Sequence, residues 1–281
     1  MSRRFQRTAL WSAGLSFLFA ALVAGAWVVK AQENYSGWWL PVNIAPEYGQ
    51  LQDLMFNIFL VLTSILALIF YALMAYAFIF NRGRKGKKGF YTHGSRRFQL
   101  GLVAFFTVFV IGGEIFVLGQ VTGDVWDRMK QGVPENALRI EVMAEQFAWN
   151  IRYPGPDGKF GKTDLELMDE ENPFGIDEDD PAAGDDVVTV GRLHIPLDVP
   201  IHILLRSKDV LHSFFIPVLR VKQDAVPGET INVWMRALKT GKFQMVCAEL
   251  CGLGHTAMKG SVVVESKKDF QAWLEQEAVV D

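Results

Sequence analysis

Cysteine is scarce in this chain, which has only Cys247 and Cys251 among 281 residues. Two cysteines cannot build the framework of a disulfide-stabilised scaffold, so that class of small secreted domain is excluded. Charged residues are also few, at 21%, whereas hydrophobic residues make up 50%. This balance is too apolar for an ordinary soluble protein of this length and predicts a membrane component. The 21 phenylalanines and 8 tryptophans provide ample surface to bury, which excludes intrinsic disorder.

The C-terminal part of the chain has no excess of basic over acidic residues. Residues 1–121 contain 11 lysines and arginines against 4 acidic residues, whereas residues 122–281 contain 17 against 27. A nucleic-acid-binding surface needs basic side chains to neutralise phosphates. The C-terminal part is therefore not expected to bind nucleic acid.

Two long uncharged runs predict a transmembrane helical hairpin over residues 50–121. Met55 to Phe80 contains no charged residue and Phe98 to Val121 contains only Glu114, so each run is long enough to span a bilayer. The connection between them carries seven lysines and arginines and no acid, which predicts a cytoplasmic location by the positive-inside rule. Glu114 is costly in lipid, so we expect it to face a protein partner or water.

Residues 1–31 allow two interpretations. Leu10 to Val29 is a further uncharged run that follows three arginines. It is either a secretory signal cleaved near Ala31 or a retained anchor helix. Both interpretations give the same orientation, with the C-terminal domain in the periplasm, or on the outer face, of a bacterial inner membrane.

Residues 122–281 predict an external all-β domain. Six or more short runs rich in Val, Ile, Phe and Trp are bounded by turn residues, and only Lys267 to Ala278 has a clear helical pattern. The predicted strand runs are Leu138 to Tyr153, Asp186 to His194, Ile201 to Arg206, Glu229 to Ala237, Lys242 to Cys247 and Ser261 to Glu265. This spacing is typical of a compact β-sandwich or barrel. An acidic insertion, residues 157–186, interrupts the pattern with 12 acidic residues against two lysines. It is a solvated insertion, a docking surface for a basic partner or a calcium-binding loop, and the sequence leaves all three open.

The segment from Cys247 to Met258 predicts a metal site. It holds two thiols, an imidazole and a thioether within 12 residues, and soft ligands of this kind select copper or zinc. Together with the upstream His212, this set suits two copper ions bridged by both thiolates, with one imidazole on each ion. The Met258 thioether and a backbone carbonyl, such as that of Glu249, could act as weak axial ligands.

Two other interpretations of these cysteines stay open. A Cys247–Cys251 disulfide is possible outside the cytoplasm, although it leaves the clustering of His255 and Met258 unexplained. A closed Cys2His2 zinc site fits the ligand count, although it gives Met258 no role. The remaining histidines, among them His194 and His202, lie in strand runs or in the basic connection and are expected to be structural or surface residues.

At this point the sequence resembles subunit II of the haem-copper cytochrome c oxidases, the chain that carries the binuclear CuA centre. The resemblance covers the helical hairpin, the aromatic strand Gln146 to Pro154, the segments Ser207 to Pro217 and Lys222 to Gly228, and the loop Cys247 to Met258. It implies a cupredoxin-like Greek-key β-barrel outside the membrane, with the hairpin packed against subunit I.

The resemblance also implies a ligand set and a function. The copper centre would accept electrons from a cytochrome c and pass them to haem in subunit I, where oxygen is reduced to water, so this chain itself is expected to contain no catalytic residue. The Glu249 side chain would help to bind a magnesium or manganese ion at the interface with subunit I. Carried over by motif, the copper ligands are His212, Cys247, Glu249 through its carbonyl, Cys251, His255 and Met258.

Three departures from the family pattern limit what is carried over. Many members have a tryptophan that receives the electron where this chain has Phe147, so we expect Phe147 and Trp149 together to line the path of the incoming electron. Many members place a glutamate at the start of the second helix, where this chain has Arg96, Arg97 and Gln99. A role in proton uptake is therefore not carried over. The acidic insertion is longer than in the simplest members.

Three alternative functions share part of this pattern. A nitrous oxide reductase would need a second, His-rich domain for which the chain has no room, and quinol oxidase subunits have lost the ligands that are present here. A membrane-anchored copper-delivery or storage protein is the alternative from a different class, because it too would hold Cys, His and Met.

Overall fold

The computed structural model describes residues 42–80, 94–113, 115, 119, 123 and 132–278. The signal or anchor segment 1–31, most of the basic connection and Glu114 lie outside the described residues. The chain divides into two compact units. One unit contains two apolar helices, and the other contains a β-rich domain together with the residues just before the first helix.

Two apolar helices occupy the helical unit. Helix α1 spans Glu47–Phe80 and helix α2 spans Arg96–Gly113. Both are long and apolar enough to cross a membrane. Helix α1 begins before the uncharged run that predicted it, since a membrane helix can extend through several polar residues where it leaves the lipid.

The second unit is a sandwich of two five-stranded sheets followed by helix α3, Lys267–Glu277. The strands are β1 Leu138–Glu145, β2 Ala148–Tyr153, β3 Val187–Val190, β4 Arg192–Pro196, β5 Ile201–Ser207, β6 His212–Ile216, β7 Val221–Ala225, β8 Ile231–Met235, β9 Gly241–Cys247 and β10 Lys259–Glu265. Sheet 1 has the order β3-β2-β1-β5-β8 and sheet 2 has the order β4-β10-β9-β6-β7. The pairs β1–β5 and β4–β10 are parallel, and the other pairs are antiparallel.

Alternating apolar residues form the core between the sheets. In β5, Ile201, Ile203 and Leu205 are fully buried, while the residues between them are partly exposed. This is the pattern of a strand with one face on a core. Phe270 and Leu274 of α3 are buried as well. The predicted order of two apolar helices, an all-β cupredoxin-like domain and one C-terminal helix is confirmed.

The structure divides two of the predicted strand runs. The run from Leu138 to Tyr153 contains a turn at Gln146-Phe147 that separates β1 from β2, and the run from Asp186 to His194 bends at Gly191, where φ is +68°. Positive φ suits glycine because it has no Cβ atom. Strands β6 and β7 were not among the predicted runs, since polar residues interrupt the apolar alternation in both.

The residues before α1 are part of the β domain. The N–H of Ile44 donates to the carbonyl oxygen of Val218 at 2.9 Å, and the N–H of Leu238 donates to the carbonyl oxygen of Ile44 at 2.8 Å. Ile44 is also buried, with 2% of its surface exposed. The chain therefore leaves this domain into α1 and returns to it at β1.

The acidic insertion is an ordered appendage. Phe174 is buried at 1% exposure, and the N–H of Asp164 donates to the carbonyl oxygen of Gly175 at 2.7 Å. Carboxylates in turns commonly accept hydrogen bonds from nearby backbone N–H groups. Seven carboxylates of the insertion accept backbone N–H groups, and they belong to Asp157, Asp164, Asp169, Asp177, Asp180, Asp185 and Asp186. The acidic residues thus shape the insertion as well as solvating it.

Calcium binding by the insertion gains no support from the described residues. Among the described residues, a group of ligand atoms converges as at a metal site, and it belongs to His212, Cys247 and Cys251. None of these residues belongs to the insertion.

Arg152 anchors the insertion to sheet 1. Its buried guanidinium donates to Glu141 Oε2 at 3.0 Å and to the carbonyl oxygen of Gly161 at 2.7 Å, and it forms a short ion pair with Asp186. The ring of Phe160 lies over it, with its centroid 5.1 Å from the guanidinium carbon. Burial raises the pKa of Asp186, and the hydrogen bonds from Arg152 and Gly161 offset this only in part.

Replacement of Arg152 tests this anchor. Arg152→Met should lower the free energy of unfolding of the β domain by about 3–5 kcal/mol, because it leaves buried carboxylates without their cation. A carboxyl group whose pKa is raised in the folded state loses stabilisation as pH increases. The loss should therefore be larger at about pH 8 than at about pH 5. Urea unfolding of the detergent-solubilised chain, followed by near-UV circular dichroism, measures it.

Arg192→Met is the matched control, since Arg192 is exposed on β4. Equal stability of the two variants at both pH values would contradict the anchoring role of Arg152.

Candidate metal centre

Strands β6 and β9 bring the first two predicted ligands together. They are antiparallel neighbours with Phe214 opposite Cys247. His212 lies two residues before Phe214 and therefore on the same face of the sheet. The N–H of Ala248 donates to the carbonyl oxygen of Ser213 at 2.9 Å, which extends the pairing one residue past the end of β9.

The ligand loop, residues 247–258, closes on itself. The N–H of Cys247 donates to the carbonyl oxygen of Met258 at 3.1 Å. The Sγ atom of Cys247 lies 3.9 Å from Sγ of Cys251 and 3.2 Å from the carbonyl oxygen of Glu249. The loop thus turns both thiols and one carbonyl toward a common point.

Each thiol has its own imidazole neighbour. The Nδ1 atom of His212 lies 4.0 Å from Sγ of Cys247, and the Nδ1 atom of His255 lies 3.5 Å from Sγ of Cys251. The Sδ atom of Met258 lies 3.8 Å from Sγ of Cys251. The structure therefore brings together all six positions that the sequence predicts as ligands, while their binding of metal stays a prediction.

The cluster lies just below the surface. Four of its side chains are buried, with exposed fractions between 0 and 8%: His212, Cys247, Cys251 and Met258. His255 is half-buried, and the neighbouring Leu253 is fully exposed. Water is thus excluded from the thiols, while the loop itself reaches solvent.

Asp209 orients the ring of His212. The Nε2 atom of His212 lies 2.8 Å from Oδ1 of Asp209, so the ring donates there and its Nδ1 lone pair faces Cys247. Partial burial acts to raise the pKa of Asp209, but hydrogen bonds from His212 and from the N–H groups of Val210 and Gln146 together hold this pKa below its ordinary value. A carboxylate that stays ionised is a lasting acceptor for the imidazole.

The thiols are free, and their protons would leave on metal binding. Burial and the neighbouring Cys247 thiol raise the pKa of Cys251 to about 11. A thiol with this pKa is protonated at neutral pH, whereas metals bind the thiolate, so metal uptake releases protons.

The two aromatic residues predicted on the electron path lie at different depths. Phe147 is 38% exposed, and its ring leaves no room for a Cβ atom on Gly254, which would lie 2.4 Å from the ring. Trp149 is 1% exposed, and its ring centroid lies 6.2 Å from that of His212. An external partner could therefore touch Phe147 directly, whereas Trp149 lies beneath the surface next to a predicted ligand.

The other described histidines have structural contacts, as the sequence predicts. His194 stacks on Trp273 with 4.1 Å between ring centroids and lies 2.5 Å from Glu265. His202 lies 2.8 Å from Asn232. Neither belongs to the metal cluster.

The donor set tests the three interpretations of the cysteines. The sulfur atoms are 3.9 Å apart, far beyond the bond length of about 2.05 Å in a disulfide. His212, Cys247 and Cys251 form a group with all ligand atoms within 4.8 Å, and His255 is not in it. A single tetrahedral zinc ion needs four such atoms around one point. Two thiols, two imidazoles, a thioether and a carbonyl instead fit copper, for which soft ligands are suited.

Comparisons with known proteins agree with this donor set. The family model described as cytochrome c oxidase subunit II, periplasmic domain, matches residues 138–267, which include all six predicted ligands. The alternative cytochrome c oxidase subunit 2 of Bradyrhizobium diazoefficiens is 37% identical over 243 residues, covering 85% of this chain and 84% of that protein. The chain belongs to the cytochrome c oxidase subunit II family. It is thus a subunit of a haem-copper oxidase, an oxidoreductase complex.

Other subunit II proteins match about half of this chain. Cytochrome c oxidase subunit 2 of Thermostichus vulcanus is 32% identical over 143 residues, covering 51% of this chain and 34% of that protein. The crystal structure of the periplasmic domain of subunit II of cytochrome oxidase from Bradyrhizobium japonicum is 30% identical, covering 52% of this chain and 96% of that domain, with a TM-score of 0.39. The resemblance of this subunit II to its family, noted from the sequence, is confirmed.

Sequence reasoning missed two residues of this subunit II that hold the site together. Asp209 precedes His212 by three residues, and this spacing could have suggested a local hydrogen bond. Gln146 lies far from the ligands along the chain, so only the folded structure reveals its contact with Cys251.

The packing of Phe147 on the ligand loop gives a prediction for Gly254. Gly254→Ala should displace either the ring or the loop and destabilise the site by about 1–3 kcal/mol, as overpacking does. Copper content after dialysis against a chelator should fall. Gly184→Ala is the control, because a Cβ atom there meets only the carbonyl oxygen of Pro181, at 3.7 Å. Equal copper retention in both variants would rule out this packing constraint.

Proposed function

We propose that this chain is the electron-accepting subunit of a cytochrome c oxidase and that its ligand cluster binds a binuclear CuA centre. The observation that carries the proposal is the arrangement of Cys247 and Cys251, whose sulfur atoms are 3.9 Å apart and have different imidazole neighbours. One His at each end of a thiol pair suits two metal ions bridged by both sulfurs better than one ion with four ligands.

Each predicted ligand would hold part of the copper centre. Cys247 and Cys251 would bridge the two ions, and His212 and His255 would each bind one of them. The Met258 thioether and the Glu249 carbonyl oxygen would be weak axial ligands. When bound, such a copper pair supplies one-electron transfer with little change in geometry. The burial of four of these side chains excludes water and fixes the donors before an electron arrives.

The proposed orientation follows from the charge pattern. The lysines and arginines between the two apolar runs favour the cytoplasmic side for that connection, so the β domain lies in the periplasm of a bacterial inner membrane. The proposal is compatible with the chain path, since Ile44, just before α1, and β1 belong to the same β domain.

The proposed partners are a cytochrome c donor and subunit I, which takes the electron to haem and reduces oxygen to water. The Glu249 side chain would contribute to a magnesium or manganese site at the interface with subunit I. Because the site would lie at the interface, subunit I would supply ligands to the same ion.

A copper-delivery or storage protein remains the alternative of another class. Such a protein exchanges its metal and is best served by accessible ligands. Burial of both thiols, at 8% and 4% exposure, favours a resident metal.

Electron paramagnetic resonance of the copper-loaded, detergent-solubilised chain tests the binuclear centre. We expect two copper ions per chain and, in the one-electron-oxidised state, more hyperfine lines than one copper gives, because the unpaired electron is shared by two nuclei. Cys247→Ser and Cys251→Ser should each abolish this spectrum, whereas Met258→Leu should mainly shift the reduction potential, because an axial ligand is weak. A ratio of one metal per chain would falsify the binuclear assignment.

The acidic insertion provides a test of donor docking. Its residue Asp169 lies next to the metal end of sheet 1, since its carbonyl oxygen accepts from Lys208 Nζ at 2.6 Å and Lys208 directly precedes Asp209. Glu170→Gln with Glu171→Gln should therefore reduce the salt dependence of electron transfer from a basic cytochrome c, because complementary charge raises the encounter rate.

The control for this pair is Glu275→Gln with Glu277→Gln. These residues lie on α3, which follows the end of β10 remote from Met258, at roughly 20 Å for seven strand residues. Stopped-flow reduction of the full oxidase complex at several ionic strengths measures the difference. If both pairs leave the same salt slope, the donor docks elsewhere.

Phe147→Ala should slow reduction while leaving the copper spectrum intact.

A further inference from the structure

The turn between β1 and β2 contacts both halves of the ligand set. The main-chain N–H of Gln146 donates to Oδ2 of Asp209 at 2.6 Å, and the other oxygen of that carboxylate holds His212. The side-chain amide of Gln146 donates to the carbonyl oxygen of Cys251 at 2.5 Å. One residue thus makes one connection to the strand-borne ligand and another to the ligand loop.

The turn itself is held firmly. Glu145, the last residue of β1, accepts hydrogen bonds from Asn150 Nδ2 at 2.8 Å and from Lys208 Nζ at 3.1 Å. Phe147 follows Gln146 and packs against the ligand loop, where a Cβ atom on Gly252 would lie 2.7 Å from the Gln146 amide nitrogen. Both chain neighbours of Gln146, Glu145 and Phe147, are therefore held in place, and the amide of Gln146 lies directly against the loop backbone.

We infer that Gln146 is the positioning residue that sets the distance between the ligand loop and His212. The inference rests on the proposed copper centre. A metal site whose ligands come from two separate elements needs those elements held in register by groups that do not bind the metal themselves. Gln146 joins the two elements through its main-chain N–H, which bonds to Asp209, and through its side-chain amide, which bonds to Cys251.

The side chain can be tested separately from the main chain. Gln146→Glu keeps the size of the residue and its N–H bond to Asp209, but it removes the amide donor from Cys251. Gln146→Leu removes the donor and leaves that carbonyl oxygen without its partner. Gln244→Leu is the matched control, since Gln244 is an exposed residue of β9.

The first readout needs no metal. The 281-residue chain has only two cysteines, so alkylation of the metal-free, detergent-solubilised protein by iodoacetamide reports on the ligand loop alone. Both Gln146 variants should raise the alkylation rate severalfold, and Gln244→Leu should leave it unchanged. If Gln146→Leu does not yield folded protein, the isosteric Gln146→Glu decides.

The second readout is copper retention against a chelator, together with the nitrogen couplings of the two histidines in the copper-loaded chain. Loss of a residue that orients metal ligands weakens metal binding by about 10- to 100-fold, and we expect this range for both Gln146 variants. Gln146→Glu should alter the coupling of the loop histidine, His255, more than that of His212, whose link to Asp209 it keeps. Asp209→Asn should do the reverse.

The double variant Gln146→Glu with Asp209→Asn tests whether the two connections act as one unit. If the two connections act in series, loss of either one already separates the loop from His212, so the combined loss should be smaller than the product of the single losses. A simple product, or alkylation and copper retention equal to those of the parent, would overturn the inference. If the parent chain binds no copper pair, the proposed function fails, and the metal-free alkylation rates still decide whether Gln146 holds the loop.

Discussion

The register between β6 and β9 is the constraint on which the metal centre depends. Phe214 lies opposite Cys247, and a slip by one residue would turn His212 to the opposite face of the sheet. Core packing resists such a slip, because Phe214 is fully buried and meets the edge of Trp149 with 5.5 Å between ring centroids. An apolar contact thus determines where a polar ligand lies, and the accuracy of the site is a property of the core beneath it.

How much could be predicted from sequence depended on how local each feature is. The ligand loop was predictable because Cys247, Cys251, His255 and Met258 lie within 12 residues, so their convergence requires only one tight loop. Addition of His212 required either the resemblance to subunit II or the β6–β9 pairing. The helices and most strands follow from hydropathy patterns, whereas the role of Gln146 depends on a contact across the fold that no local pattern encodes.

The acidic insertion shows the same limit. Its composition indicates solubility, but its order comes from the positions of particular residues: aspartates that accept backbone N–H groups, Phe174 in a small core, and Arg152 buried beneath it. Arg152 and Lys208 attach it at two points along sheet 1. Because the insertion is attached, its negative charges keep defined positions relative to the domain. They therefore contribute an electrostatic potential of defined shape around it.

The attachment of Ile44 has a consequence for how the chain is made. Its two backbone hydrogen-bond partners, Val218 and Leu238, are synthesised long after it and after both helices. Ile44 must therefore wait for these two partners until most of the β domain has been translated, and its docking closes a ring of chain that begins and ends in this domain. Closing so long a loop is slow relative to local contacts. Protease cleavage between residues 42 and 45 during synthesis would thus distinguish chains whose β domain is complete from those in which it is not.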